Sequence, residues 1–148
     1  MRILIGPVRH ALHTDLGLLV LRVGLGLMMM GHGWPKLTGG PEKWAKLGGA
    51  MGSLGIDFAP TFWGFMASFS ELVGGAMVAV GLLTRVHSGL LVCTMGVAAA
   101  MHLSNGDGVM GSSHAIEDGI AFLALVLLGA GRFSVDARVR SYSATHSS

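Results

Sequence analysis

Charged residues are scarce in this sequence. Only 12% of its 148 residues are Asp, Glu, Lys or Arg, whereas 51% are hydrophobic. Soluble globular domains carry about 25% charged residues, so the composition argues against a surface that faces water. The formal net charge is +2, which is too small to indicate a nucleic-acid-binding surface, since such surfaces are strongly basic. A soluble domain and a nucleic-acid partner are therefore both excluded at this stage.

Cysteine is almost absent as well. The chain has one cysteine, Cys93, which lies inside an apolar run. A single cysteine excludes both an intrachain disulfide and a CxxC redox pair. Any thiol chemistry would therefore need a partner protein.

The sequence has instead four long apolar stretches, at residues 16–37, 60–83, 86–103 and 114–131. Each is about 18 to 24 residues long, and a helix needs about 20 residues to cross the hydrocarbon core of a bilayer. Glycine is abundant, with 24 residues, as in membrane helices that pack closely. We therefore predict an all-α fold, a four-transmembrane-helix antiparallel bundle in a lipid bilayer.

The predicted spans divide the chain into three parts. Residues 1–15 form a cytoplasmic N-terminal segment, residues 16–136 form the four-helix transmembrane domain, and residues 137–148 form a flexible cytoplasmic tail that is rich in Ser and Arg. Ser113 is the predicted N-terminal cap of the fourth span.

The first outer loop, at residues 38–59, has a helical pattern of its own. It opens with Pro41, a favourable first residue of a helix. Apolar residues follow at three- and four-residue steps, namely Trp44, Leu47, Met51 and Leu54. This spacing predicts a short helix that lies in the membrane interface.

Lysine and arginine are distributed unevenly between the two sides of the predicted bundle. The side with both termini carries Arg2, Arg9, Arg85, Arg132, Arg138 and Arg140. The opposite side carries Lys36, Lys43 and Lys46. Positive residues favour the cytoplasmic side of a membrane. The distribution therefore predicts a multi-pass protein with both termini in the cytoplasm.

Each predicted span carries an ionisable residue in its outer half. These four residues, the predicted polar cluster, are His32, Glu71, His102 and Glu117. Because a charge at mid-span costs at least about 2.5 to 3.5 kcal/mol, such groups are expected to face the interior of the bundle. His114 shares a helix face with Glu117 at i, i+3.

The predicted polar cluster also has a purely structural interpretation. Glu71 could form a buried ion pair with Arg22, which lies deeper in the first span. His32 and His102 could bond only to backbone or water. The sequence leaves this alternative open.

Three stretches of the sequence resemble successive signatures of the DoxX family of small bacterial membrane proteins. They are LRVGLGLMMMGHGWPKL, SELVGGAMVAVGLLTR and IEDGIAFLALVLLGAGRFSVD. The resemblance covers residues 16–136 and implies a four-helix protein of the bacterial inner membrane. Members of the family are associated with membrane redox complexes and are related to subunits of thiosulfate:quinone oxidoreductases. By position, the family's polar residues would fall on Arg22, Lys36, Glu71, Arg85 and Glu117.

The resemblance and the predicted polar cluster together favour a quinone-linked oxidoreductase subunit. His32 and His102 would hold the quinone carbonyls, since histidine both donates hydrogen bonds and titrates near neutrality. Glu71 and Glu117 are the candidate catalytic residues and would move protons. The candidate ligand-binding residues are His32, Lys36, His102 and Arg22. Whether the chain is itself the enzyme stays open at this point.

Two other functions compete with quinone binding. In the first, the chain is a non-catalytic membrane subunit or scaffold that docks a soluble or membrane oxidoreductase, alone or as a homo-oligomer, and the polar cluster serves helix packing. In the second, it binds haem through His32 and His102, or a metal ion. The metal set would be His32, His102, His114 and Glu117.

Overall fold

The structure is a computed structural model that describes residues 7–146, with side chains described for residues 11–143. All regular elements within 7–146 are helices, which confirms the predicted all-α class. In chain order they are α1 (Pro7–Leu37), α2 (Gly40–Gly48), a 3-10 helix (Gly49–Leu54), α3 (Pro60–Phe69), a π turn (Ser70–Gly74), α4 (Gly75–Val80), α5 (Thr84–Ser104), α6 (Gly108–Leu128) and α7 (Val135–His146).

Four helical segments are long and apolar enough to cross a membrane, as predicted. They are Ala11–Leu37, Pro60–Val80, Thr84–Ser104 and Gly108–Leu128. The second span is continuous through α3, the π turn and α4. Only 17 to 39% of the most apolar window of each span is buried inside the protein. The outward apolar faces therefore suit a lipid environment, in which apolar surface need not be covered by protein.

The fourth span begins earlier than the sequence analysis predicts. α6 starts at Gly108, and Asp107 occupies its N-cap position. Ser113 lies inside the helix, so its predicted capping role is wrong. The glycines before residue 112 suggested a loop, but Gly106 and Gly108 alone take the positive φ values that the turn requires. Compared with the predicted span, which starts at residue 114, α6 is about one and a half turns longer at its N-terminus. Glu117 therefore lies further from the first residue of the helix than predicted.

The ends of the chain are more helical than predicted. Residues 1–6 of the predicted N-terminal segment lie outside the described residues, and residues 7–15 already belong to α1. At the other end, α7 extends through His146, where the sequence analysis expects a flexible tail. Ser134 explains the start of α7, because its Oγ accepts the backbone N–H of Ala137 at 3.2 Å, as an N-cap residue does.

The spans pack as two close pairs that share an interior. α1 packs mainly against α4 and the π turn, and α5 packs against α6. The buried apolar side chains of the interior include Leu18, Met29, Val78, Leu91, Met95, Phe122 and Leu125. Glycine makes the first pair possible: a Cβ on Gly26 would lie 2.8 Å from the Cβ of Ala79. The α1 and α4 backbones therefore approach more closely than larger residues would permit.

The loop between α1 and α3 packs on α3, the first part of the second span. α2 packs against α3 through Gly48 and Gly64, where a Cβ would overlap the facing backbone. The predicted single helix continues as a 3-10 helix from Gly49. Its predicted apolar face is only partly covered, since Trp44 is half-buried and Leu54 is 52% exposed.

Candidate functional site

A cavity of about 170 Å³ lies between α1, the π turn, α5 and α6. We call it the polar cavity, because six of its lining residues carry ionisable side chains. These are His32, Lys36, Glu71, His102, His114 and Asp118. The remaining lining residues are Met29, Met95, Ala98, Gly111 and Ala115. Four separate elements thus direct polar groups into one small volume.

An ion pair between α1 and the π turn lines the polar cavity. Lys36 Nζ donates to Glu71 Oε1 at 2.6 Å. The Glu71 side chain is only 3% exposed, whereas the Lys36 side chain is 32% exposed. Glu71 Oε2 is buried and has no hydrogen-bond partner among the described residues. Since unpartnered buried acceptors are rare and costly, this oxygen is available to a ligand that donates a hydrogen bond.

Local sequence explains why the two partners meet. Gly33 lies against the backbone of Leu72 in the π turn, and a Cβ at this position would overlap that backbone. The close approach brings the last turn of α1, which carries Lys36, alongside Glu71. Ser70–Gly74 takes the π conformation, a feature that often accompanies functional sites because the extra residue redirects side chains.

The histidines lie toward the exposed rim of the polar cavity. The rings of His32 and His114 meet edge to face, with centroids 5.6 Å apart. His114 Nε2 lies 3.5 Å from Asp118 Oδ2, and this contact is not a hydrogen bond. Like Glu71 Oε2, Asp118 Oδ2 is therefore a buried acceptor without a hydrogen-bond partner among the described residues. His102 Nδ1 lies 2.7 Å from Asp107 Oδ2. The rim therefore holds one hydrogen-bonded histidine–carboxylate pair, His102–Asp107, and a longer contact between His114 and Asp118.

The structure brings together three of the four members of the predicted polar cluster. His32, Glu71 and His102 line the polar cavity, but Glu117 does not. Glu117 is exposed on α6. Successive residues on a helix point about 100° apart, and it is Asp118 that faces the cavity. The expectation that Glu117 faces the interior is therefore wrong, and the i, i+4 spacing of His114 and Asp118 was the signal for the correct residue.

Arg22 lies outside the polar cavity. It is buried near the middle of α1, fourteen residues from Lys36, or about 21 Å along the helix. Its guanidinium donates to the backbone oxygens of Ala79 and Phe133. Arg22 therefore ties α1 to the end of α4 and to the segment before α7. It does not contact Glu71, whose partner is Lys36, so the structural alternative that paired them is wrong.

Asp136 organises the same end of the molecule. Its carboxylate accepts the backbone N–H groups of Leu83 and Thr84 at 2.7 and 3.0 Å, and so caps α5 from another part of the chain. Burial acts to raise the pKa of Asp136, but the hydrogen bonds from Thr84 and Leu83 and the charge of Arg140 lower it more, so the pKa lies below its usual value. Sequence reasoning quoted Asp136 in a motif without seeing this role.

The described residues do not assemble the metal set considered in the sequence analysis. No group of three His, Cys, Asp or Glu side chains within the described part of the chain is close enough to hold a metal ion. Glu117 is exposed and does not line the polar cavity, and His102 pairs with Asp107. The four residues His32, His102, His114 and Glu117 are therefore not one ligand set in this fold.

Four membrane-length helices around a small polar cavity define a compact multi-span membrane protein. The model of the DoxX family matches residues 17–103, which is more than half of the chain. The chain therefore belongs to the DoxX family, as its sequence motifs indicated. The match includes Lys36, Glu71 and His102 and stops before α6. No curated protein and no solved structure matches the chain.

Proposed function

We propose that this protein is an integral membrane component of a redox system and that it binds a quinone in the polar cavity. One observation carries the proposal: the Lys36–Glu71 pair leaves a buried carboxylate oxygen without a partner inside a cavity that histidines surround. A quinone head group presents oxygens that accept hydrogen bonds when oxidised and donate them when reduced. The cavity offers donors and acceptors for both states.

The membrane arrangement that accompanies this proposal follows from short connections and charge. Residues 81–83 join α4 to α5, and residues 105–107 join α5 to α6. Such short links favour an antiparallel bundle, because consecutive spans must cross in opposite directions. The excess of arginine beside α7 and the α4–α5 turn supports cytoplasmic termini in the bacterial inner membrane. The polar cavity then lies in the outer half of the bundle, and α2 lies at the outer interface.

Five of the six ionisable groups of the polar cavity have a role in the proposed chemistry. Lys36 and His32 donate hydrogen bonds to the oxygens of the oxidised quinone, and Glu71 Oε2 accepts a hydrogen bond from a hydroxyl group of the reduced head group. Asp118, through His114, links the cavity to the rim and takes the proton-carrying role that sequence reasoning gave to Glu117. Reduction of the quinone to the quinol takes two electrons from a partner oxidoreductase and two protons, which reach the head group from the rim through His114 and Asp118.

Quinone analysis of the purified protein tests the proposal. Protein extracted with its native lipids is expected to retain quinone in a stoichiometric amount, measured by chromatography of the lipid extract. Glu71→Gln and His32→Ala should each lower the retained quinone several-fold, because each removes a cavity group. Glu42→Gln, an exposed carboxylate on α2, is the matched control and should retain the wild-type amount. Quinone-free wild-type protein that also fails to bind added quinone would rule the proposal out.

A second comparison separates the two neighbouring carboxylates of α6. Asp118→Asn should weaken quinone retention, whereas Glu117→Gln should leave it unchanged. The reverse result would restore the role that the sequence analysis gave to Glu117. The absorption spectrum of the same preparations tests the haem alternative, because bound haem adds a Soret band.

The scaffold function is a second candidate, favoured by α7. This helix presents the exposed residues Arg138 and Arg140 beyond the last span. A positively charged helix suits docking of an acidic soluble oxidoreductase. Deletion of residues 137–148 should then abolish co-purification of the partner without lowering the unfolding temperature of the spans. Retention of the partner would contradict docking through α7.

A further inference from the structure

A second, larger cavity lies beside the polar cavity. It is a groove of about 740 Å³ between α3 and α5, which we call the α3–α5 groove. Two apolar stripes form its walls. One stripe is Phe62, Met66 and Phe69, spaced i, i+4, i+7 on α3, and the other is Leu90, Cys93 and Val97 on α5. Met51 of the 3-10 helix also contributes to the lining.

The groove adjoins the polar cavity. Lys36, Glu71, Ala98 and His102 line both of them. The ion pair therefore lies at the junction between a polar compartment and an apolar one. A molecule with its polar head beside Glu71 would therefore have the apolar groove next to that head, where an apolar substituent could lie between α3 and α5.

Size supports a ligand that uses both compartments. Pockets for small molecules and cofactors usually measure about 300 to 1,000 Å³. The polar cavity alone, at about 170 Å³, is smaller than this range. The α3–α5 groove, at about 740 Å³, supplies the missing volume. Its lining is mainly apolar and suits a hydrocarbon chain, although Lys43 and Lys46 of α2 also line it.

We propose that the ligand of the polar cavity is amphipathic and that its long isoprenoid or alkyl tail lies in the α3–α5 groove. This inference rests on the proposed function, and it specifies a long-tailed quinone rather than a free head group. Lipid tails are as apolar as the groove, so transfer from lipid supplies little hydrophobic free energy. The groove acts through close packing and by holding the tail where the head reaches Glu71.

Photolabelling locates the tail directly. The probe is a benzoquinone with an alkyl tail that carries a diazirine, used with the full-length protein in lipid nanodiscs. After irradiation, mass spectrometry should find label on peptides of α3 and α5 that line the groove. An excess of tailless benzoquinone should remove this label, because the head group positions the tail. A diazirine fatty acid is the control and should label lipid-facing residues without such competition.

A groove-filling variant gives an independent measurement. Val97→Trp should weaken binding of a decyl-benzoquinone by about tenfold and leave binding of the tailless benzoquinone unchanged. Ile120→Trp, at a 63% exposed position on α6 outside the groove, is the matched control and should affect neither ligand. Ala67→Leu, on the opposite wall, replaces Val97→Trp if that variant does not fold.

The possible results separate this inference from the proposed function. Failure of both benzoquinones to bind the wild type would overturn the proposed function and the inference with it. Two results would overturn the tail position while leaving quinone binding intact. One is label that tailless benzoquinone removes but that lies outside the groove. The other is a Val97→Trp variant that binds decyl-benzoquinone as tightly as the wild type does. Loss of co-purified phospholipid alone from Val97→Trp would assign the groove to a structural lipid and also overturn the inference.

Discussion

At the scale of single residues, the Lys36–Glu71 pair is the most informative contact in the protein. It joins the end of α1 to the π turn at 2.6 Å, and the carboxylate is almost fully buried. A buried carboxylate without its cation is costly, because burial disfavours the charged form. The pair is therefore expected to matter for stability as well as for ligand binding.

A double-mutant cycle measures this coupling. Lys36→Met and Glu71→Gln should each lower the free energy of unfolding by about 2 kcal/mol, the range for hydrogen bonds to charged groups. The double variant should lose less than the sum, with a coupling of about 1 kcal/mol. Thermal unfolding in detergent, followed by circular dichroism, supplies the values. Lys46→Met, an exposed lysine on α2, should combine additively with Glu71→Gln; the same coupling there would show that the effect is not specific to the pair.

Asp136 predicts a pH dependence outside the spans. Its folded pKa is below the usual value, and the unfolded pKa is about 3.9. A depressed pKa stabilises the folded protein at pH values above the unfolded pKa, and this stabilisation disappears as the pH falls through the folded pKa. Asp136→Asn should therefore cost about 1 kcal/mol at neutral pH, as loss of a helix cap does. The difference from wild type should shrink below about pH 4.

The measurement compares unfolding temperatures of wild type and Asp136→Asn across pH 3 to 7, the window around the pKa of an aspartate. Because other carboxylates titrate in both proteins, only the difference between them reports on Asp136. Asp57→Asn, an exposed aspartate in the loop before α3, is the control and should show no such difference. A gap between Asp136→Asn and wild type that widens toward acid would contradict the capping interpretation.

At the scale of helices, glycine positions decide which spans touch. Gly26 and Gly75 allow α1 and α4 to pack backbone against backbone, and a Cβ on either would lie within 3 Å of the facing helix. Gly24, two residues before Gly26, has open space around it. The two glycines of α1 therefore form a matched pair for substitution.

Gly26→Leu should separate α1 from α4 and destabilise the protein by about 1 to 3 kcal/mol, the usual cost of overpacking. Gly24→Leu should be neutral or slightly stabilising, because glycine is about 1 kcal/mol less favourable than good helix formers. Thermal unfolding of the two variants in the same detergent makes the comparison. Equal effects would show that the close approach of α1 and α4 does not limit stability.

The helices themselves were largely predictable from sequence, and the polar cavity only in part. Length and apolarity located all four spans, since both are local properties. The start of α6 was misjudged because Gly106 and Gly108 make a turn there while the following glycine remains helical. The side of α6 that faces the cavity was also misjudged. Rotation of a helix about its axis depends on its neighbours, and Glu117 and Asp118 are adjacent in sequence.

At the scale of the whole molecule, the proposed orientation in the membrane makes a direct prediction. A fluorescent protein that matures only in the cytoplasm should be active when fused after residue 148, because the arginine-rich side is expected to be cytoplasmic. Alkaline phosphatase, which requires the periplasm, should be inactive there and active when inserted at the exposed Gly55. The opposite pattern of activity would invert the bundle and place the polar cavity in its cytoplasmic half.

By itself, the amino-acid sequence determined that this protein is helical, crosses a membrane four times by length and composition, and belongs to a recognisable family. These properties depend on local apolarity and on short motifs. Only the tertiary structure decided that Glu71 pairs with Lys36 and not Arg22, that Asp118 and not Glu117 lines the polar cavity, and that Asp136 caps α5. Each of these outcomes depends on how packed helices are offset and rotated relative to residues far away in the chain. For the Lys36–Glu71 pair, close contacts at Gly26, Gly33 and Gly75 hold α1 against the second span.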